Sequence, residues 1–325
     1  MPRRSFNGAT VLVTGAGGFI GSHLVALLAQ ESIPTLVPTR HAERVRHLTT
    51  LPGVDVVEAN IHDDATLRRL LAGRTAAINL VGILHGSRAI PYGHEFRRAH
   101  VDLPQRIVDA CVAAGVPRYL HMSALGANVD GPSMYSRSKA DGELAARSHP
   151  EVAATIFRPS VVFGPGDHFL TMFAKLQRRL PVVPLACASA AFQPIYVGDV
   201  ATAYLHALRD AHASHQVYQL GGPNIYTLAE LVRLSGRYAG CERPIIELPA
   251  GLARMQARFF ELLPGEPVLT RDNLDSMTVD NVLPPAVQDL TAASLGIKLT
   301  PLEAVAPHYL APTEPLDRLR TRAGR

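Results

Sequence analysis

The chain has 325 residues, 47% of them apolar and 18% charged, with a formal net charge of +4. So high an apolar fraction excludes general disorder and supports one large or two modest domains. The charge is too small and too dispersed for a nucleic-acid binder, and no run approaches the roughly 20 apolar residues of a membrane span.

Residues 1–8 are basic without an apolar centre, so they do not read as a signal peptide. The first strong element is the β-branched run Ala9 to Val13, a buried strand. A glycine turn follows, then a helix with Phe19, Ile20, Leu24, Val25, Leu27 and Leu28 as its apolar stripe. Gly15, Gly18 and Gly21 are spaced G-x-x-G-x-x-G. Unpaired N–H groups at a helix start, aided by the helix dipole, suit a pyrophosphate. Gly15 makes the tight turn, Gly18 admits the pyrophosphate, and Gly21 lets helix and strand lie close. The backbone of Phe19 and Ile20 belongs to the same site.

Further strands are expected at Ile33 to Pro38, Val54 to Glu58, Ala76 to Val81, Val116 to Ser123 and Val152 to Arg158. Helices alternate with them at Asp63 to Leu71, Val101 to Ala114 and Tyr135 to Ser148. The first starts at an Asp63 or Asp64 cap, and the second stops at Gly115. This alternation predicts an α/β fold: a Rossmann-type, doubly wound parallel sheet. Beyond Pro159 short strands (182–183, 193–197, 217–220) mix with helices (169–180, 200–208, 227–238). The expected division is a dinucleotide-binding domain over 1–160, a smaller substrate lobe over 161–311 and a fraying tail over 312–325. Later segments of the lobe are expected to return to the sheet.

Cys111, Cys187 and Cys241 show no metal or disulfide spacing, which fits buried thiols in a reducing cytoplasm. The fourteen histidines include no ligand array and read as surface and loop residues; no metal is expected. Leu252, Met255, Phe259 and Leu262 or Leu263 recur at helical spacing, with Arg254 and Arg258 between them. This segment, 252–263, reads first as a lid helix packed on the cofactor lobe. Its alternative is an amphipathic face at a membrane or a quinone-bearing partner.

Tyr135 and Lys139 form Y-x-x-x-K, which places phenol and ammonium on one helix face. A lysine cation close by is expected to lower the tyrosine pKa and make Tyr135 a usable acid or base. Lys139 also suits the nicotinamide ribose, and Ser123, ending the fifth strand, suits a substrate oxygen.

With these residues in view, the chain resembles an atypical, extended member of the short-chain dehydrogenases. Its nearest likeness is to the nucleotide-binding accessory subunit of respiratory complex I and that subunit's stand-alone bacterial relatives. The likeness rests on Thr14 to Gly21, Val37 to Arg40, Ile78 to Gly82, His121 to Ser123, Tyr135 to Glu143, Phe157 to Ser160, Phe163 to Leu170, Gln193 to Val200 and Leu269 to Asn273. It implies NADP(H), favoured over NAD(H), because Arg40 stands where an acid would bind the ribose 2′-OH. It further implies Asn60 and Ile61 at adenine, Asn79 to Gly82 (with Leu80 and Val81) under the adenosine half, and Pro159, Val161 and Val162 beside the nicotinamide. Three functions follow from it. The first is an oxidoreductase acting on a carbonyl, hydroxyl or quinone-like substrate. The second is a non-catalytic nucleotide-holding subunit of a respiratory or quinone-biosynthesis complex. The third is a nucleotide-sugar epimerase or dehydratase. The expected location is cytoplasmic, with the inner face of the membrane as a peripheral site. Two departures stand out. His100 replaces the usual helper asparagine, and only twelve positions separate Ser123 from Tyr135.

Overall fold

A computed structural model describes residues 9–262, 265, 267–284 and 290–312. The four residues Val11–Thr14 (β1) are all buried, as an apolar run at the centre of a parallel sheet must be. The sheet continues with Thr35–Thr39 (β2), Val54–Glu58 (β3), Ala76–Asn79 (β4), Arg118–Met122 (β5) and Ala153–Pro159 (β6). The strand Val217–Leu220 and the short edge strand Leu290–Thr291 join it from the second half of the chain. All neighbours run parallel. Their order starts at the edge strand, passes through Val217–Leu220 to β6, β5, β4 and β1, and ends with β2 and β3. The order reverses between β1 and β4, and the crevice at that reversal is where such sheets hold ligands.

Helices Phe19–Gln30 (α1) and Asp64–Leu71 (α2) follow the first and third strands. Asp63 caps α2 through the Thr66 N–H at 2.8 Å. The helix expected from Val101 is longer and interrupted. A turn of helix, His94–Arg97 (α3), runs into a π-helical turn, Arg98–Asp102, and then into Leu103–Ala114 (α4). Gly115, in the left-handed region at φ +69°, ends it. The helix Met134–Ala146 (α5) begins at its Ser133 cap.

Each sheet face has its own core. Leu24, Val25 and Leu28 of α1 pack on one with Tyr204, Leu205 and Leu208 of Val197–Arg209 (α7); the helix between, Phe169–Arg179 (α6), belongs to the second half's own cluster. Leu67 and Leu71 of α2 pack on the other face with Ile107 and Cys111 of α4. Helix α6 packs with Leu228–Tyr238 (α8) in a third cluster around Phe163, Phe173 and Leu231.

Candidate active site

At Gly15 and Gly21 the turn has the geometry expected of it. Gly15 has φ +78°, and a Cβ on it would lie 2.8 Å from the Leu80 carbonyl carbon. The turns after β1 and β4 therefore touch, and only glycine permits it. A Cβ on Gly21 would lie 2.4 Å from the Gly15 oxygen. Asn79, fully buried, ties the two turns together: its Oδ1 accepts Thr14 Oγ1 at 2.8 Å and the Val81 N–H at 3.1 Å. Gly18 is exposed, caps α1 without a side chain, and no acid follows in the first turn. The helix start thus offers N–H groups and partial positive charge with no built-in acceptor, which fits a pyrophosphate. Across the turn, His23 Nε2 donates to the Pro165 carbonyl at 2.9 Å and holds the 164–168 loop beside Phe19.

Tyr135 and Lys139 lie on α5 with Lys139 Nζ 5.9 Å from the Tyr135 ring centroid. Lys139 is buried at the sheet edge, donates to the Met122 carbonyl at 3.1 Å, and would meet a Cβ on Gly82 at 3.2 Å. Burial lowers its pKa to about 8, and Glu143 opposes that shift. The expectation that this lysine lowers the tyrosine pKa is corrected: burial pushes Tyr135 up to about 12. The ammonium lies on the ring side and bonds a backbone carbonyl, and burial dominates the phenol. At neutral pH the Tyr135 phenol is therefore protonated.

Ser123 is committed to a neighbouring side chain. Its buried hydroxyl donates to Glu143 Oε1 at 2.5 Å, and Glu143 in turn receives two 2.7 Å bonds from Arg158 of β6. Ser123 anchors an ion pair between α5 and the sheet. The next residue, Ala124, has no hydroxyl to offer a substrate.

His100 and His121 correct the reading of histidines as surface residues: both are 1% exposed. His100 Nε2 accepts the Ile83 N–H at 3.0 Å, which assigns its proton to Nδ1; that proton goes to Ser138 Oγ at 2.8 Å. Burial, then Lys139 and His121, hold its pKa well below the usual value, so the ring is neutral. Both nitrogens are engaged. His100 packs edge-on to Tyr135 at 5.7 Å instead of relaying a proton from Lys139. The π-helical turn gives it this position, and Gly142 allows α5 to close on it: a Cβ there would lie 2.0 Å from the His100 carbonyl oxygen.

The remaining residues are placed as follows. Arg40 is exposed at the end of β2. Asn60, after β3, accepts the His62 N–H at 3.1 Å, and Ile61 is half-buried against the α2–α4 core. Leu80, Val81 and Gly82 follow β4. Pro159 ends β6, and its carbonyl accepts the Leu125 N–H at 2.8 Å; Val161 and Val162 continue from it towards the C-terminal half.

One contributor was missed. Asp272, buried on the helix Arg271–Ser276 (α10), accepts the Met134 N–H at 2.7 Å and the Tyr135 N–H at 3.1 Å. A residue 137 positions away thus fixes the start of the tyrosine helix. Its sequence signals are the Leu269 to Asn273 block of the likeness and the Thr270 capping pattern beside it.

The glycine cradle at the strand-order reversal and the Y-x-x-x-K helix across it define a Rossmann dinucleotide-binding protein of the short-chain dehydrogenase type. Residues 11–221 match the model of the NAD dependent epimerase/dehydratase family, and the chain belongs to that family. It is 32% identical over 313 residues to the mouse mitochondrial protein "NADH dehydrogenase [ubiquinone] 1 alpha subcomplex subunit 9", covering 93% of this chain and 79% of the relative. It is 30% identical over 239 residues to a ceramide reductase of Caulobacter vibrioides, covering 74% and 73%. In fold it is similar to a double mutant of the dTDP-glucose 4,6-dehydratase DesIV of Streptomyces venezuelae. There the TM-score is 0.65 at 22% identity, over 82% of this chain and 95% of that one.

Proposed function

We propose that the protein binds NADP(H) and acts as an oxidoreductase on a carbonyl, hydroxyl or quinone-like substrate. The observation that carries this reading is Lys139: a lysine buried at the sheet edge, at the floor formed by Gly82 and Met122 and one helical turn from Tyr135. Burying an ammonium costs stability unless it is paired and hydrogen-bonded, and a ribose hydroxyl would add such a bond. When bound, the nicotinamide supplies or accepts the hydride. The backbone of Gly18, Phe19 and Ile20 holds the pyrophosphate, Asn60 and Ile61 flank adenine, and Lys139 bonds the ribose. Pro159, Val161 and Val162 wall the nicotinamide end, and Tyr135 gives its proton to the substrate oxygen as the carbonyl is reduced.

Gly18→Val tests the cradle. A Cβ at this position approaches only the Gly15 oxygen, at 3.3 Å, so the variant folds while its branched side chain occupies the pyrophosphate's place. The expected result is an unchanged melting temperature with loss of NADPH binding in calorimetry. A folded variant of normal affinity would remove the cofactor reading of this turn.

Arg40 decides between the cofactors. Its guanidinium suits a 2′-phosphate, and NADPH is expected to bind more tightly than NADH. Arg40→Ala should weaken NADPH roughly ten- to hundredfold and leave NADH nearly unchanged, as loss of a charged hydrogen bond predicts. Equal wild-type affinities for both nucleotides would contradict the assignment.

A second reading draws on Ser123 and His100. With the serine hydroxyl on Glu143 and both imidazole nitrogens engaged, the site lacks two parts of a full proton relay. This supports a nucleotide-holding subunit of a respiratory or quinone-biosynthesis complex, the function class that the similarity to the mouse protein suggests. In that case the cofactor-free protein is the unstable species, and cells tolerate loss of Tyr135 but not of Gly18.

A further inference from the structure

The helix Ala250–Leu262 (α9) is amphipathic in the inverted sense. It buries only Ala253 and Ala257, against Ala186 and Leu274. Its large side chains face outward: Leu252 is 49% exposed, Met255 65%, Phe259 58% and Leu262 78%. At about 100° per residue these four fall within one arc of roughly 80°. Exposed Arg254 and Arg258 border that arc on one side. This corrects the lid-helix expectation, because the stripe does not pack on the cofactor lobe. Leu263 lies outside the described residues.

Arg88 is close enough to help lower the pKa of Glu261, and its loop carries Ile90, 99% exposed, and Leu84, 57% exposed. This loop follows Gly82 directly. On the other side Arg271 is paired with Glu261 at 2.7 Å, and its neighbour Asp272 caps the tyrosine helix.

We propose that α9 and the 84–90 loop form a face that docks on an anionic lipid bilayer. An apolar arc edged by arginines on a short surface helix is the pattern of an interfacial helix. The charge supports lipid over a second copy of this chain. In a two-fold contact the patch faces an identical patch, which brings the Arg258 side chains of both copies into one interface. The nearby acids are already engaged, Glu261 by Arg271 and Asp275 by Arg254. Anionic headgroups give Arg258 a counter-charge while the acyl region takes the apolar arc. The docking does not rest on the oxidoreductase reading.

The chain contains no tryptophan, so Phe259→Trp creates a single fluorescent reporter on this face. Mixing that full-length variant with phosphatidylcholine vesicles containing phosphatidylglycerol should move its emission to shorter wavelength. Pure phosphatidylcholine or high salt should reduce the effect. In vesicle flotation, Met255→Asp with Leu262→Asp, and separately Ile90→Asp, should each lower the bound fraction about tenfold or more. Arg258→Glu should lower it about five- to thirtyfold, since it replaces one cation by an anion. Circular dichroism of the same samples verifies folding, and NADPH binding reports on the cofactor reading independently. No flotation of folded protein with anionic vesicles would overturn the proposal. So would self-association abolished by the same substitutions, which would assign the face to a second copy.

Discussion

Tyr135→Phe is expected to lower NADPH-dependent reduction by roughly 10²–10⁴-fold, the usual contribution of general acid–base catalysis, with NADPH affinity nearly unchanged. Phenylalanine keeps the ring that packs against Phe96 and His100, so the fold is not perturbed. The pH dependence is distinctive. With its pKa raised to about 12, the phenol stays protonated across the working range, so no loss of activity near pH 7 originates there. Lys139, lowered to about 8, carries its charge below that pH and loses it above. Reduction rate and NADPH affinity should therefore both decline as pH rises through about 8. Lys139→Ala should remove that pH dependence and weaken both at every pH. Steady-state rates with soluble quinone and aldehyde acceptors, alongside calorimetry from pH 6 to 10, provide the check. If Tyr135→Phe fully restores a deletion strain while Gly18→Val does not, the nucleotide-holding reading is the correct one.

The second large effect is on stability. Glu143→Ala should cost about 3–5 kcal/mol, the usual consequence of removing one partner of a buried ion pair. Glu143 is 1% exposed, and it joins α5 to β6 through Arg158 and to β5 through Ser123. Ser123→Ala should cost less, about 1.5–3 kcal/mol, as loss of a hydrogen bond to a charged group. It should leave turnover close to that of wild type. Urea unfolding of both variants measures the costs. A Ser123→Ala rate loss as large as that of Tyr135→Phe would return the serine to the reacting atoms.

These contrasts mark how far linear order can be read. Periodicity and breakers located β1, α1, α2, β5 and β6 to within a few residues, because a buried parallel strand needs an unbroken apolar run and a helix needs a cap and a stop. The glycines of the cradle were legible for the same local reason: a turn at φ +78° and a helix pressed on its strand each exclude a Cβ. Tyr135 and Lys139 were legible because four residues make about one helical turn.

The direction in which a hydroxyl or imidazole points is not local. Ser123 faces Glu143 because the strand that ends beside it delivers that side chain under α5, twenty residues further on. His100 is buried and neutral because a π-helical turn, which no spacing rule announced, rotates it under Gly142. Asp272 reaches the tyrosine helix across 137 positions, and α9 turns Ala253 and Ala257 to Ala186 and Leu274, which leaves the stripe outward. Sequence by itself thus determined the Rossmann frame, the cradle and the Tyr–Lys pair, all set by steric and periodic rules within a few residues. Tertiary structure alone decided which polar groups meet there and which apolar face is left outward, because both depend on what distant segments bring into the same few ångströms.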